Sequence, residues 1–174
     1  MLVQLIVGGL AIGCVYALLA LGFVLIFKTT GGYNFAQGDL AVFGGYLVIF
    51  TIEKLWFSPI VSFIIAMLLM AGLGIVYEHF CYNSLRKRTA SYFIIASVGT
   101  AIALRAVNLI LWGPTPHIGP RLFSKQYFNV GSTSIESQYI LIAIITAFVL
   151  LVFAYLFNKT KLGSMLRATS QDQD

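Results

Sequence analysis

Charge is what this sequence has least of. Asp, Glu, Lys and Arg make up 10% of its 174 residues, and only six residues are acids. A soluble domain carries about a quarter of its residues as these four types, so the soluble globular class is excluded. Cysteine is nearly absent as well. Cys14 and Cys81 lie in or beside apolar runs with no metal-ligand spacing, which argues against a disulfide or zinc framework. There is no Gly-Lys-Ser/Thr phosphate loop, no Ser/His/Asp set and no paired catalytic carboxylates. Neither an enzyme nor a bound cofactor or metal is expected. The pI of about 9.3 could point to nucleic acid. The basic residues, however, fall in the gaps between apolar stretches, where membrane topology accounts for them, and no nucleic-acid partner is expected. What remains is 59% apolar content, 14% aromatic content and a mean hydropathy of +0.91. Such a chain is too apolar to stay disordered in water and belongs in a bilayer.

A helix crossing the hydrocarbon core needs about 20 mostly apolar residues. Cutting the chain at charges and turn residues gives four crossings: Gln4 to Phe27, Ser58 to Phe80, Ser91 to Trp112 and Gln138 to Asn158. The first lacks the basic start and cleavage site of a signal peptide. A further apolar run, Leu40 to Ile52, is too short alone, and extending it backward takes in Asn34, Gln37 and Asp39. Polar or non-helical backbone at membrane depth is stable only when buried in protein or lining a wet cavity. This segment is therefore read either as a short or broken helix with a functional start, or as an ordinary crossing with its polar turn in the headgroups. The expected fold is an all-α polytopic transmembrane bundle of about five segments. Seven basic residues (Lys28, Arg86, Lys87, Arg88, Lys159, Lys161, Arg167) fall on one side against Lys54, Arg121 and Lys125 on the other. The positive-inside rule then puts the N-terminus outside and the C-terminus in the cytoplasm. The loop Gly113 to Ser137 is the largest outer feature, and Trp56 and Trp112 fall at outer helix ends.

Gly9, Gly13 and Ala17 recur every fourth residue and place small side chains on one helix face, a pattern that lets helices approach closely in lipid. The connection KTTGGYNFAQGDL, Lys28 to Leu40, combines glycines with Asn34, Gln37 and Asp39 beside the membrane, which suits a permeation path or a helix break. Arg105 lies inside a crossing and is a functional candidate by default. Trp112 is only seven residues further, so a structural anchor snorkelling to the interface is the competing reading. Asn108 follows on the same face. Glu78, His79 and Cys81 lack metal-site spacing and read as a membrane-surface cluster beside the Arg86 to Arg88 run. In the tail, Leu162, Met165, Leu166 and Thr169 fall at i, i+3, i+4 and i+7, an amphipathic helix that either lies in the headgroups or docks a partner.

These motifs resemble a known family. Leu21, Gly22, Leu25, Ile26 and Phe27, then Asn34, Phe35, Ala36, Gln37, Gly38 and Asp39, then Gly44, Gly45 and Tyr46 are similar to the start of branched-chain amino-acid ABC transporter permeases of the LivH type. Gln37 and Asp39 stand where the family usually has His and Glu. Thr160, Leu162, Gly163, Arg167, Ala168 and Asp172 are similar to its cytoplasmic ATPase-engaging loop. The resemblance implies a multi-pass permease of the prokaryotic inner membrane that carries branched-chain amino acids, with urea, amides or another small polar solute as alternative cargo. It implies a LivM-like second permease or a homodimer, separate cytoplasmic ATPases and an extracytoplasmic substrate-binding protein. Asn34, Gln37, Asp39 and Arg105 become candidates for the path or its gate. Lys161, Leu162, Gly163, Leu166, Arg167, Ala168 and Asp172 become candidates for ATPase coupling within segment 160–174. Residues 1–174 read as one permease domain, the N-terminal part of a longer fold, or as a truncated fragment that does not transport.

Overall fold

The structure, a computed structural model, describes residues 2–85, 90–117, 119, 127–130 and 133–159. Among the described residues five α-helices follow one another: α1 (Leu2–Thr30), α2 (Gln37–Leu55), α3 (Pro59–Tyr77), α4 (Ala90–Trp112) and α5 (Ser137–Lys159). A π-helical turn, Glu78–Asn83, continues α3. Helices α1, α4, α5 and α3 with its π turn are long and apolar enough to cross a membrane. Helix α2 is not in that class because its 19 residues include Asp39, Glu53 and Lys54. It begins at Gln37, three residues before the apolar run Leu40 to Ile52 expected from sequence, so Gln37 and Asp39 belong to the helix itself while Asn34 precedes it.

The helix ends have local causes. Gly31 at φ 66° and Gly113 at φ 80° take the left-handed conformation that follows a helix C-terminus and that a Cβ disfavours. The Gly113 N–H bonds the Leu109 carbonyl at 3.0 Å. Helix α2 stops at Trp56, a non-glycine residue at φ 56°, where the Trp56 and Phe57 N–H groups both close on the Thr51 carbonyl. Ser58 is extended, and Pro59 opens α3 at a position where its missing N–H costs nothing.

The chain groups into two compact units, Thr30–Pro120 and Met1–Thr29 with Arg121–Asp174. In the first, α2 packs against α3 and α4. The α2–α3 seam is built of small residues: Thr51 on α2, and Ser62 and Ala66 on α3, are buried, and a Cβ on Gly44 would lie 3.3 Å from Met70 Cγ. Without a hydrophobic gain between helices in lipid, such close backbone approach supplies the attraction. On α4 the residues Phe93, Ser97 and Ala101 are buried, and Arg105, Asn108 and Trp112 continue the same stripe at helical spacing.

In the second unit α1 and α5 face each other across an apolar cavity of about 350 Å³ lined by Val7, Leu10 and Ala11 on one side and residues from Tyr139 to Ala147 on the other. Lys28 Nζ sits 6.0 Å from the Phe157 ring centre, so the two helices run in the same direction. Tyr127–Val130 and Thr133–Glu136 form an antiparallel two-stranded ribbon before α5. That ribbon is a small addition to the expected all-α bundle. It forms where Tyr127 and Glu136, then Phe128 and Ile135, come opposite one another.

Candidate functional site

Between α1 and α2 the backbone leaves the helix for six residues, which from Gly32 on alternate between buried and exposed, with Tyr33 and Phe35 on the exposed side. Gly32, Asn34 and Ala36 are buried, with Asn34 only 2% exposed. Asn34 Oδ1 accepts the Ala36 N–H at 3.0 Å and the Tyr77 hydroxyl at 2.9 Å. The first contact is an Asx-type turn that caps the start of α2, whose own N-cap residue, Ala36, has no side chain able to do so. Ser97 on α4 grips the same segment. Its Oγ accepts the Phe35 N–H at 3.1 Å and donates to the Ile94 carbonyl at 2.8 Å, with the Tyr33 carbonyl at 3.4 Å. Gly32 lies against the face of α4, where a Cβ would fall 2.5 Å from Phe93 Cδ1. Phe93 is itself held edge-on to Tyr82.

Further along, α2 and α4 run side by side in the same direction. Asp39, in the first turn of α2, meets Arg105 of α4 in a two-pronged pair, Nε to Oδ1 at 2.7 Å and Nη2 to Oδ2 at 3.2 Å. An acid in the first turn is also favoured by the helix dipole. Arg105 is fifteen residues past Ala90, about 22 Å along α4, and about 10 Å short of Trp112. The ion pair therefore lies well inside a span. Its members are unequally covered, Asp39 at 13% and Arg105 at 71% side-chain exposure. One helical turn on, Asn108 is half-buried, and its Oδ1 has no partner among the described residues. Beyond it Trp112 stacks on Tyr46 at 5.1 Å and meets Phe43 edge-on at 5.5 Å, while His117 reaches the Trp112 carbonyl at 3.0 Å.

Of the candidates chosen from sequence, Asp39 and Arg105 come together. Both guanidinium prongs engage Asp39, so Arg105 is ion-paired and does not snorkel toward the Trp112 end. Asn34 is buried, and its Oδ1 holds the Ala36 N–H and the Tyr77 hydroxyl. Gln37 is half-buried at the head of α2. Gly9 and Gly13 are exposed, and no heavy atom comes within 4 Å of a Cβ built on either; the buried residue of α1 is Ala11, because α5 approaches on the Val7 to Ala11 side. Ala17 is half-buried. Lys161, Leu162, Gly163, Leu166, Arg167, Ala168 and Asp172 lie outside the described residues. Ser97, Tyr77 and Phe93 carry no expectation from sequence, and Trp112 is expected only as a marker of an outer helix end. The signal that could have found three of them is the spacing Phe93, Ser97, Ala101, Arg105, Asn108, Trp112, which puts one charge on a stripe otherwise built of small, hydroxyl and aromatic side chains.

Over residues 5–174 the chain matches the family described as branched-chain amino acid transport system / permease component. It is 26% identical to the high-affinity branched-chain amino acid transport system permease protein LivH of Salmonella typhimurium, over 97% of this chain and 59% of that protein. It is 23% identical to the corresponding BraD protein of Pseudomonas aeruginosa, with the same shares covered. It is 29% identical to a probable branched-chain amino acid transport permease protein LivH of Methanocaldococcus jannaschii, over 89% of this chain and 50% of that one. The chain thus spans between half and three-fifths of the length of these relatives. No solved structure matches it.

Proposed function

The chain belongs to the branched-chain amino-acid transport permease family, and from that premise we propose that it forms part of the translocation path of an ABC importer for branched-chain amino acids. It is a multi-pass inner-membrane protein, and residues 1–174 supply the N-terminal part of one permease domain. The observation that carries the reading is the helix break Gly31 to Ala36, pinned by the buried Asn34, followed by a helix whose first turn holds an ion pair at membrane depth. Broken helices with polar ends inside the bilayer recur where transporters form their binding and gating elements, and irregular backbone there must line a cavity or be buried in protein. Asp39 and Arg105 line the path or its gate, with Gln37 beside them. Asn34 holds the break in shape.

The partners follow from the same reading: a LivM-like second permease or a second copy, two cytoplasmic ATPases, and an extracytoplasmic binding protein. The open Gly9 and Gly13 face of α1 suits the second permease. Segment 160–174 would receive the ATPase through Lys161, Leu162, Gly163, Leu166, Arg167, Ala168 and Asp172, and ATP hydrolysis would reside in the ATPases. Deleting the gene should abolish uptake of labelled leucine, competed by isoleucine and valine and not by urea. Restoring it with Leu166→Glu or Arg167→Glu should leave the complex in the membrane and hydrolysing ATP while uptake falls at least tenfold. Leucine uptake that survives the deletion, or that only urea competes, overturns the cargo. Undiminished uptake in both tail variants overturns the coupling role.

A further inference from the structure

We propose that the Asp39–Arg105 pair is a zwitterion exchanger. In passage, the ammonium of an α-amino acid takes the place of Arg105 on Asp39, and its carboxylate takes the place of Asp39 on Arg105. This rests on the permease reading above and gives that site a ligand chemistry.

Three observations carry it. First, the contact is a fork, Nε and Nη2 on the two oxygens of one carboxylate, the arrangement in which arginine also holds a free carboxylate. Second, the arginine is 71% exposed although it lies about 10 Å inside the Trp112 end of α4. A guanidinium open to hydrocarbon at that depth is expensive, so this surface faces a wet cavity or the bundle interior rather than lipid; exchange requires the wet face, where a solute can reach it. Third, the pair has an apolar neighbour of the right kind. Asp39, Phe43 and Tyr46 are i, i+4 and i+7 on α2, and Arg105, Asn108 and Trp112 are i, i+3 and i+7 on the parallel α4. A charged head group held at the pair can lay an aliphatic side chain toward the Phe43, Tyr46 and Trp112 cluster.

The physical reason for exchange is charge conservation. Opening the pair leaves two opposite charges unpaired within a span, which is costly. A zwitterion repairs both at once. A solute with one charge repairs only one, and a neutral amide repairs neither, so the site discriminates by returning the charges to balance.

The test is equilibrium binding to the purified, detergent- or nanodisc-held transporter complex without its binding protein. The probes are leucine, 2-hydroxyisocaproate, which lacks the ammonium, and 3-methylbutylamine, which lacks the carboxylate. The wild type should bind leucine at least tenfold more tightly than either analogue. Asp39→Asn should reverse the preference toward the hydroxy acid and Arg105→Gln toward the amine. The double variant Asp39→Asn/Arg105→Gln keeps the charges balanced and guards against misfolding in the single variants; it should lose the preference for leucine altogether. Unchanged leucine affinity and selectivity in the double variant overturns the proposal and leaves a merely structural pair. Absence of leucine binding to a wild-type complex whose cells take up leucine also overturns it. Cellular uptake is measured separately, so a failure of the exchange is distinguishable from a failure of the transport reading.

Discussion

Replacing Gly32 by Ala is the sharpest perturbation the fold offers, because one methyl group is aimed at one ring. A Cβ at Gly32 would lie 2.5, 3.2 and 3.3 Å from Phe93 Cδ1, Cε1 and Cγ. Comfortable carbon contacts begin near 3.5 Å, so the ring must retreat by about 1 Å or the buried loop must lift by the same amount. Neither is free to do so. Phe93 is 6% exposed and set edge-on to Tyr82, and the loop is fastened a few residues on by Ser97. Overpacking of this kind costs about 1 to 3 kcal/mol. Phe93→Leu alone removes part of the ring and leaves a small cavity; in the double variant the leucine makes room for the methyl. The expected double-mutant cycle therefore has a favourable coupling, with the double variant more stable than the sum of the singles predicts. Unfolding of the purified protein in mixed micelles measures all four corners. Gly32→Ala at wild-type stability, or a cycle with no coupling, would refute the close approach and with it the path of residues 31 to 36 against α4.

Asn34→Ala leaves both the Ala36 N–H and the Tyr77 hydroxyl without their acceptor, and a stranded buried donor costs about 1 to 3 kcal/mol each. Tyr77→Phe deletes one donor while Asn34 Oδ1 keeps the Ala36 N–H, so it should cost only about 0.5 to 1.5 kcal/mol in the same unfolding assay; equal losses would mean that Asn34 does not organise the turn. Trp112→Ala removes the stack on Tyr46 and the edge contact with Phe43, each worth about 0.5 to 1.5 kcal/mol beyond area. Amide exchange should quicken at the Trp112 end of α4 and stay slow around Ser97, and a uniform change along the helix would contradict a local cluster.

What could be read before any coordinates was set by length and polarity. The run Ser91 to Trp112 differs from α4 by one residue because hydrocarbon thickness and a glycine define its ends. The break was visible in Gly31, Gly32 and the polar residues after them, since few alternatives suit such a string beside a membrane. The Asp39–Arg105 contact was not visible. Sixty-six residues separate the two, and their meeting requires α2 and α4 to run parallel in one register, which no local pattern encodes. Arg105 could equally have reached for the interface until a partner was placed beside it. The Tyr127 to Glu136 ribbon was passed over although Gly131 and Ser132 between the strands are a hairpin signal. Its ten residues were read only as part of a long outer loop. The Gly9 and Gly13 stripe meets nothing within 4 Å among the described residues of its own unit, so small-residue spacing announces a capacity to pack without naming the partner.

The distance along the chain between Asp39 and Arg105 also has a meaning in time. At roughly 5 to 20 residues per second of synthesis, Arg105 is added about 3 to 13 s after Asp39. Through that interval the carboxylate of a helix carrying three charges has no counter-ion in place, at a cost of about 3 kcal/mol on the insertion scale were it left at the centre of a bilayer. Helix α2 is thus poorly suited to enter lipid as it is made, whereas α3 and α4 can enter by their own hydropathy. The expected outcome is that its integration waits for the third helix of the Thr30–Pro120 unit to bring the arginine, so that a ribosome paused before codon 105 leaves α2 accessible to water-soluble labels.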